Sequence, residues 1–314
     1  MTDIERMFCQ IPVGMALAKL KVDDCPVSVY YGRSESGNLR FAFMTEKPPI
    51  VIDSTGNIRV SQWAEGPNIY WTCFELLADH AKQVFFVLCN NLVRSAVGCQ
   101  SEDIAMAAIK NRFATWKKLF HNPSAEMTEE LYKGLFGELF FLKNHLMSYH
   151  DCTVAVNAWS GPDRTAKDFC VGNIWFEIKT ASTNAEAVKI SSLTQLESDD
   201  AGHLVIVKTE KMSDEFDNGE CSVEQLLTSV LNTINDESLK DELVKKVALY
   251  GYNLDTDPSQ FHKYKVTRMN FYRVDDNFPR ITSAKVPYSE IIRVAYELSI
   301  SSIERYLEDQ NDIS

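Results

Sequence analysis

No apolar run in the 314 residues reaches the ~18 that a membrane span requires. The opening Met1-Thr-Asp-Ile-Glu-Arg6 lacks the basic start of a secretory signal, so a cytoplasmic location with no membrane partner is expected. Cys-x-x-Cys pairs are missing as well. The eight cysteines (Cys9, Cys25, Cys73, Cys89, Cys99, Cys152, Cys170, Cys221) are scattered, which argues for reduced thiols and against a zinc site. No repeats or low-complexity tracts occur. Positive charge is scarce: 32 Lys and Arg face 44 Asp and Glu, a net charge of −12. Non-specific affinity for nucleic acid comes from neutralising phosphates with Lys and Arg, so a general DNA coater is excluded. Any DNA contact must be local, metal-assisted or shared with a partner. What remains is a chain 45% hydrophobic, enough for a sizeable core in one large domain or two to three modest ones.

The stretch Lys167–Thr180 stands out. Asp168-Phe-Cys-Val171 and Ile174-Trp-Phe-Glu-Ile-Lys179 are β-rich runs separated by Gly172-Asn173, two residues that tolerate the positive φ of a tight hairpin turn. Counting outward from a two-residue turn puts Val171 opposite Ile174, Cys170 opposite Trp175, Phe169 opposite Phe176 and Asp168 opposite Glu177. Alternation then gives Asp168, Glu177 and Lys179 one face and Phe169, Phe176 and Ile178 the other. Like charges directly opposed destabilise a sheet. A divalent cation between the carboxylates accounts for them, because hard ions such as Mg²⁺ take one or two carboxylates and keep waters elsewhere. Such an ion activates water and neutralises phosphate charge, and a neighbouring lysine adds to that field. The plainer alternative is a surface ion pair between Asp168 and Lys179 beside a solvated Glu177. At these residues the chain resembles the PD-(D/E)xK nuclease superfamily, whose motif is an acid on one strand and Glu-x-Lys on the next.

Upstream, residues 1–122 read as a helix-like start (Ile4 to Leu20) and a small antiparallel sheet. Its strands are Val27–Tyr31, Leu39–Phe43, Ile50–Ile52 and Ile58–Val60. Helices at Trp71–Val97 and Ser101–Phe120 follow. His80 and His121 have no obvious partner. His121-Asn-Pro-Ser124 marks a break, and Thr128-Glu-Glu-Leu131 starts a helix with an N-cap and two acids at its positive end. Leu131, Leu135, Leu139, Leu142 and Leu146 make its apolar stripe, and Glu138 falls on that stripe. Gly134 and Gly137 nearby suggest close approach to a sheet. A carboxylate aimed at a core is costly unless paired or metal-bound; Glu138 either snorkels at the stripe's edge, pairs with a buried Arg, or reaches a metal. Many PD-(D/E)xK enzymes carry a glutamate on this helix, and the resemblance implies the last.

Thr153–Trp159 reads as the first core strand. Pro162-Asp163 spells the motif's "PD", but it sits in a Gly-Pro-Asp turn where Asp serves local backbone bonding, and Asp168 is the better ligand. Beyond the polar loop Ala181–Glu186 come a short helix, Ser192–Glu197, and a strand, His203–Lys208. The order helix–strand–strand–strand–helix–strand is that of restriction-endonuclease-like folds. In such enzymes the helix after Glu-x-Lys often supplies Gln or Lys to the site, which nominates Gln195, with Lys189 behind it. Residues 213–314 read as helices Ser222–Asn235 and Leu239–Leu249, a β pair around Tyr264–Val274 and an amphipathic helix near Ile300–Asp309. Lys263, Lys265, Arg268, Arg273, Arg280 and Lys285, interleaved with Tyr264, Phe271 and Tyr272, suit either nucleic-acid binding or, more simply, a half-exposed sheet.

The whole chain also resembles a bacterial family of PD-(D/E)xK motif proteins. The likeness runs through Gly134–Glu138, Ala158–Pro162, Lys167–Phe169, Phe176–Thr180, Ile190–Leu196 and Phe278–Ile281, with Lys167 standing where the motif has Pro. The expectation is an α/β (α+β) protein: a restriction-endonuclease-like mixed sheet flanked by helices in residues 123–212, an N-terminal β-rich and helical extension in 1–122, and a C-terminal mixed extension in 213–314. The resemblance implies a DNA endonuclease using Mg²⁺ or Mn²⁺ held by Asp168, Glu177, Glu138 and the Ile178 carbonyl, with Lys179 and Gln195 in the site. It also implies a restriction or anti-phage setting, with DNA and other proteins of such a gene cluster as partners and a possible homodimer. The competing expectation is an inactive nuclease-like module that binds DNA or a defence partner.

Overall fold

The computed structural model describes residues 3–14, 17–120, 127–163, 166–200, 202–216, 219–252, 258–286, 288 and 290–312. Helix α1 (Asp3–Gln10) leads into strands β1 (Ala18–Leu20), β2 (Ser28–Arg33), β3 (Leu39–Thr45), β4 (Ile58–Ala64) and β5 (Tyr70–Leu76), then helices α2 (Lys82–Ala96) and α3 (Glu102–Phe120). Helix α4 (Glu129–Phe141) runs through a π-helical turn, Leu142–Leu146, into the single turn α5 (Met147–Tyr149), and α6 (Cys152–Ala158) follows. Next come β6 (Phe169–Val171), β7 (Ile174–Ser182), β8 (Ala187–Ile190) and β9 (Gly202–Met212). Helices α7 (Val223–Thr233) and α8 (Glu237–Tyr250) lead to β10 (Lys263–Val274), β11 (Tyr296–Ser299), α9 (Ile300–Ile303) and β12 (Leu307–Asp312). Among the described residues no helix is long and apolar enough to cross a membrane.

The chain forms two compact units, residues 1–126 with 231–258, and residues 127–230 with 259–314. The stretch 123–212 therefore shares its unit with the end of the chain, while 213–314 contributes α8 to one unit and β10 and β12 to the other. In the first unit an antiparallel sheet, ordered β1-β2-β3-β5-β4, presents Phe41, Phe43 and Phe74 to one side. There they meet Phe8 of α1 and Phe113 of α3.

The second unit is built on a mixed sheet ordered β12-β10-β9-β7-β6, in which β7 and β9 run parallel and the other pairs antiparallel. Its two faces are both covered. Phe169, Phe176 and Phe271 pack with Phe141 of α4 on one side. Trp175, Ala181, Leu204, Ile206 and Tyr272 close a second apolar cluster with Ile190, Leu196 and Phe278 on the other.

Several expected elements differ. Thr153–Trp159 is not a strand but α6, because Asp151 caps it, its Oδ1 accepting from Thr153 N at 2.9 Å and Val154 N at 3.0 Å; only Trp159 keeps a β-bridge, to Phe169. The start of the expected helix Trp71–Val97 is β5, whose Trp-Thr-Cys-Phe run is claimed on both edges by β3 and β4. Ile50–Ile52 belongs to no strand, and the Ile4–Leu20 stretch divides into α1 and β1. Ser192–Glu197 shortens to a 3₁₀ turn, Leu193–Gln195. Tyr264–Val274 is one continuous strand, flanked by β9 and β12. The C-terminal stretch keeps α-helix at Ile300–Ile303 and a 3₁₀ turn at Glu304–Tyr306, and Leu307–Asp312 gains a neighbour in β10 by becoming a strand. His121–Ser124 and the His80 side chain lie outside the described residues.

Candidate active site

The hairpin sets the site's frame. Gly172 adopts φ +58° while Asn173 is not among the positive-φ residues, the pattern of a turn with glycine first. Val171↔Ile174, Cys170↔Trp175 and Phe169↔Phe176 pair as counted. The backbone ladder then stops one residue short of Asp168 and Glu177. Instead, the Asp168 carboxylate takes over: Oδ2 accepts from Ile178 N at 2.8 Å. Because the N–H and C=O of a strand residue point to the same edge, the Ile178 carbonyl also faces the edge that β6 has left.

Phe176 and Thr180 of β7 face α4, so Glu177 and Lys179 alternate onto the opposite face, beside Trp175 and Ala181. Glu177 is 1% exposed. Its Oε1 accepts from Lys179 Nζ at 2.8 Å. Burial, and then the charge of Asp168, push the Glu177 carboxyl up to about 8, against the pull of Lys179. Burial also raises Asp168, although the Ile178 N–H and the nearby lysines pull the other way. Two carboxylates are thus held where neither ionises easily. That is an arrangement in search of positive charge.

The third acid comes from the other side of the sheet. Thr128 caps α4, its side chain accepting from Leu131 N at 3.3 Å, with Glu129 and Glu130 in the first turn. Leu135, Leu139, Leu142 and Leu146 are buried while Leu131 stays 40% exposed. Gly137 lets the helix touch β7: a Cβ there would lie 1.9 Å from Thr180 Oγ1 and 3.1 Å from Thr180 Cβ. Close approach brings Glu138, 6% exposed, to the end of β6, where its Oε2 accepts from Trp159 Nε1 at 2.7 Å. Gly161 lies between the acids. A Cβ on it would sit 2.8 Å from Glu138 Oε2 and 3.2 Å from Asp168 Oδ1, and Ser160 N and Gly161 N both donate to the Asp168 carbonyl.

Gln195 is held differently. Its Oε1 accepts from Ser191 N at 2.7 Å, closing its own turn. The carbonyls of Thr194 and Gln195 accept from Lys167 Nζ at 2.9 and 2.7 Å, and that ammonium lies 3.8 Å from the centre of the Trp175 ring. Burial lowers Lys167 to about 8. Arg280 braces the next residues, donating to Leu196 O at 2.7 Å and Ser198 O at 3.2 Å. Lys189 is exposed on β8, opposite Glu297. Pro162-Asp163 belongs to a 3₁₀ turn, as expected of a turn residue. Tyr264, Phe271 and Tyr272 are buried, so the basic-aromatic stretch is a half-exposed sheet and its rings are core. Trp159, Gly161 and Lys167 were the residues that spacing alone passed over. Each lies in a stretch that carries the family likeness, and none belongs to a motif with chemistry of its own.

A family model described as "Putative PD-(D/E)XK family member, (DUF4420)" matches residues 14–301. The chain belongs to this family. No curated protein and no solved structure matches it. The DUF4420 chain accordingly has a nuclease-like α+β fold of the restriction-endonuclease type, with Glu177 and Lys179 on β7 of its mixed sheet and Asp168 just before β6.

The donor set fits a hard cation. All candidates are oxygens, with no thiolate or imidazole among them, and Mg²⁺ needs only one or two carboxylates beside water. Among the described residues no group of three or more His, Cys, Asp and Glu forms a ready-made metal cage. Asp168 is the common member: Glu177 approaches it from one face of the sheet and Glu138 from the helix side.

Proposed function

We propose that this DUF4420 protein is a metal-dependent endonuclease that hydrolyses DNA phosphodiester bonds in a restriction or anti-phage setting. The observation that carries the reading is the placement of Asp168 and Glu177: a half-buried and a fully buried carboxylate beside a lysine, with the Asp168 carboxylate on Ile178 N at the edge that the Ile178 carbonyl also faces. Asp168, Glu177 and the Ile178 carbonyl would hold Mg²⁺ or Mn²⁺, with Glu138 contributing to the same ion or a second one. Such an ion, when bound, supplies a water of lowered pKa and neutralises charge on the phosphate.

The protein's own residues do the rest. The Ile178 N–H fixes the Asp168 carboxylate, and Trp159 fixes Glu138, so neither must reorganise as substrate arrives. Lys179, 18% exposed, can turn from Glu177 toward the scissile phosphate once that carboxylate has another cation. There it carries positive charge to the oxygens on which negative charge accumulates. Lys167 and Arg280 anchor the turn that bears Gln195, which frames the site through its backbone.

A second reading, binding without cleavage, has one observation in its favour: Lys179 is an ion-pair partner of Glu177 at 2.8 Å. The test is incubation of purified protein with plasmid and phage DNAs in Mn²⁺, alongside Glu177→Ala and Lys179→Ala. Cleavage by wild type, lost in both variants while their circular dichroism is unchanged, supports the enzyme. Equal outcomes in all three remove it. Stabilisation of wild type by Mn²⁺, lost in Asp168→Asn, separates the two readings further.

A further inference from the structure

The first unit carries a surface with a composition unlike the rest of this acidic chain. One side of its sheet packs on helices through Phe41 and Phe74. Alternate residues point the other way and, by register, fall into rows. Trp63 lies opposite Trp71 on neighbouring strands; two residues along, Tyr30 lies opposite Lys19; two further, Glu75 is flanked by Arg59 and Arg40. The indoles of Trp63 and Trp71 are stacked at 5.9 Å with planes 13° apart, and Tyr30 meets Trp71 edge-on at 4.8 Å. Trp63 is 42% exposed on the edge strand β4.

The charges on this face are layered. Glu75 is the buried member, with its side chain 7% exposed, while the Arg40 and Arg59 side chains that it holds at 3.4 and 3.6 Å are 41% and 56% exposed. Asn38 Nδ2 donates to its other oxygen at 3.1 Å. The carboxylate therefore sits beneath two oriented guanidinium groups and leaves their outer edges to solvent. Lys19 Nζ adds a cation 6.0 Å from the Tyr30 ring. Toward the tryptophan end Glu65 accepts from Trp71 Nε1 at 2.8 Å, and Glu46 follows the end of β3. The stacked tryptophans, Trp63 of them well exposed, lie roughly 14 Å along the strands from these outward cations, at about 3.4 Å per residue.

We infer that this face of the first unit binds single-stranded nucleic acid, with bases stacking on Trp63 and its aromatic neighbours and phosphates meeting Arg40 and Arg59. Aromatic rings take any base by its π-face, and guanidinium groups take the backbone. A duplex keeps its bases stacked on one another and offers the rings nothing comparable. In a protein of net charge −12 the attraction must be local, and here it is.

The test uses the full chain in EDTA, so that it stands apart from cleavage. Fluorescein-labelled oligo(dT) and oligo(U) are titrated at low salt, with anisotropy and tryptophan emission recorded together, and a duplex of equal length is run beside them. Single strands should bind with quenched tryptophan emission and more tightly than duplex. Trp63→Ala should weaken binding at least about fivefold, and Trp63→Phe should retain most of it. Arg59→Gln should weaken binding and lower the salt slope by about 0.7. Lys110→Gln, exposed on α3 and outside both surfaces, should bind as wild type does, so general loss of charge and loss of this surface are read separately. Absence of binding, equal affinity in Trp63→Ala and Arg59→Gln with folded spectra, or equally tight quenching by duplex would each overturn the inference.

Discussion

Replacing Glu177 by glutamine in metal-free protein tests the electrostatics of the hairpin directly. An ordinary glutamate titrates near 4.5, and here burial first and Asp168 second raise it to about 8. Between those values the folded protein holds a proton that the unfolded chain has released, so stability falls as pH rises from 4.5 to 8. At about 1.4 kcal/mol per unit the ceiling is on the order of 4–5 kcal/mol, and relaxation around the pair reduces this to about 2–3 kcal/mol. Below pH 5 the wild-type group is neutral in the folded state, and glutamine is its near-isostere. The variant should therefore match wild type at pH 5 and exceed it by about 2–3 kcal/mol at pH 8. Urea unfolding in EDTA at the two pH values reads the difference. Parallel pH profiles for the two proteins would mean that Glu177 is not held against Asp168 as described. Adding Mn²⁺ at pH 8 should stabilise wild type and leave Glu177→Gln largely unmoved.

Gly137→Ala should destabilise by about 1–3 kcal/mol, because the new Cβ meets Thr180, even though helix propensity alone would favour alanine by about 1 kcal/mol. A higher urea midpoint would refute the close helix–sheet contact. His145, packed among Phe141, Phe176 and Phe271 with its Nδ1 buried and without a hydrogen-bond partner, is lowered to about 4 by burial, with His150 and His203 adding to that and Asp309 opposing. The unfolded chain takes up its proton near 6.5, so this group withdraws stability as pH falls from 6.5 to 4 and none further below. The loss should be on the order of 1–2 kcal/mol. Replacing it with leucine should flatten that part of the profile, and an unchanged acid slope would place the proton elsewhere.

Much of the site was legible because it obeys local rules. A Gly-Asn corner dictates a two-residue turn, and the turn dictates register as far as Phe169 and Phe176; there the ladder ends, and the Asp168 carboxylate reaches Ile178 N while Glu177 and Lys179 fall on the far side of β7 from Phe176. Thr128 announced the start of α4, and the leucine stripe announced that Glu138 would be inside. Where the reading failed, two local preferences were close and a distant partner chose between them. Val-Ala-Val-Asn-Ala alternates well enough for a strand, yet Asp151 caps it as a helix; Leu307–Asp312 tolerates helix, yet β10 offers an edge. The rings between Tyr264 and Tyr272 looked available to bases until both neighbouring strands were in place and buried them.

The approach of Glu138 to the hairpin acids was not a matter of spacing. Glu138 is far from Gly161 and Asp168 along the chain, and its convergence with them depends on a helix resting against β7 through one glycine. The hairpin and the caps follow from neighbours a few residues away, whose geometry is set by covalent reach and φ preference. The tryptophan pair on the first unit's sheet is a hairpin contact, whereas the meeting of Glu138 with Asp168 and the turn held by Lys167 and Arg280 follow from contacts closed over long loops. Those contacts form only once burial of the two cores has repaid the entropy of closing the loops.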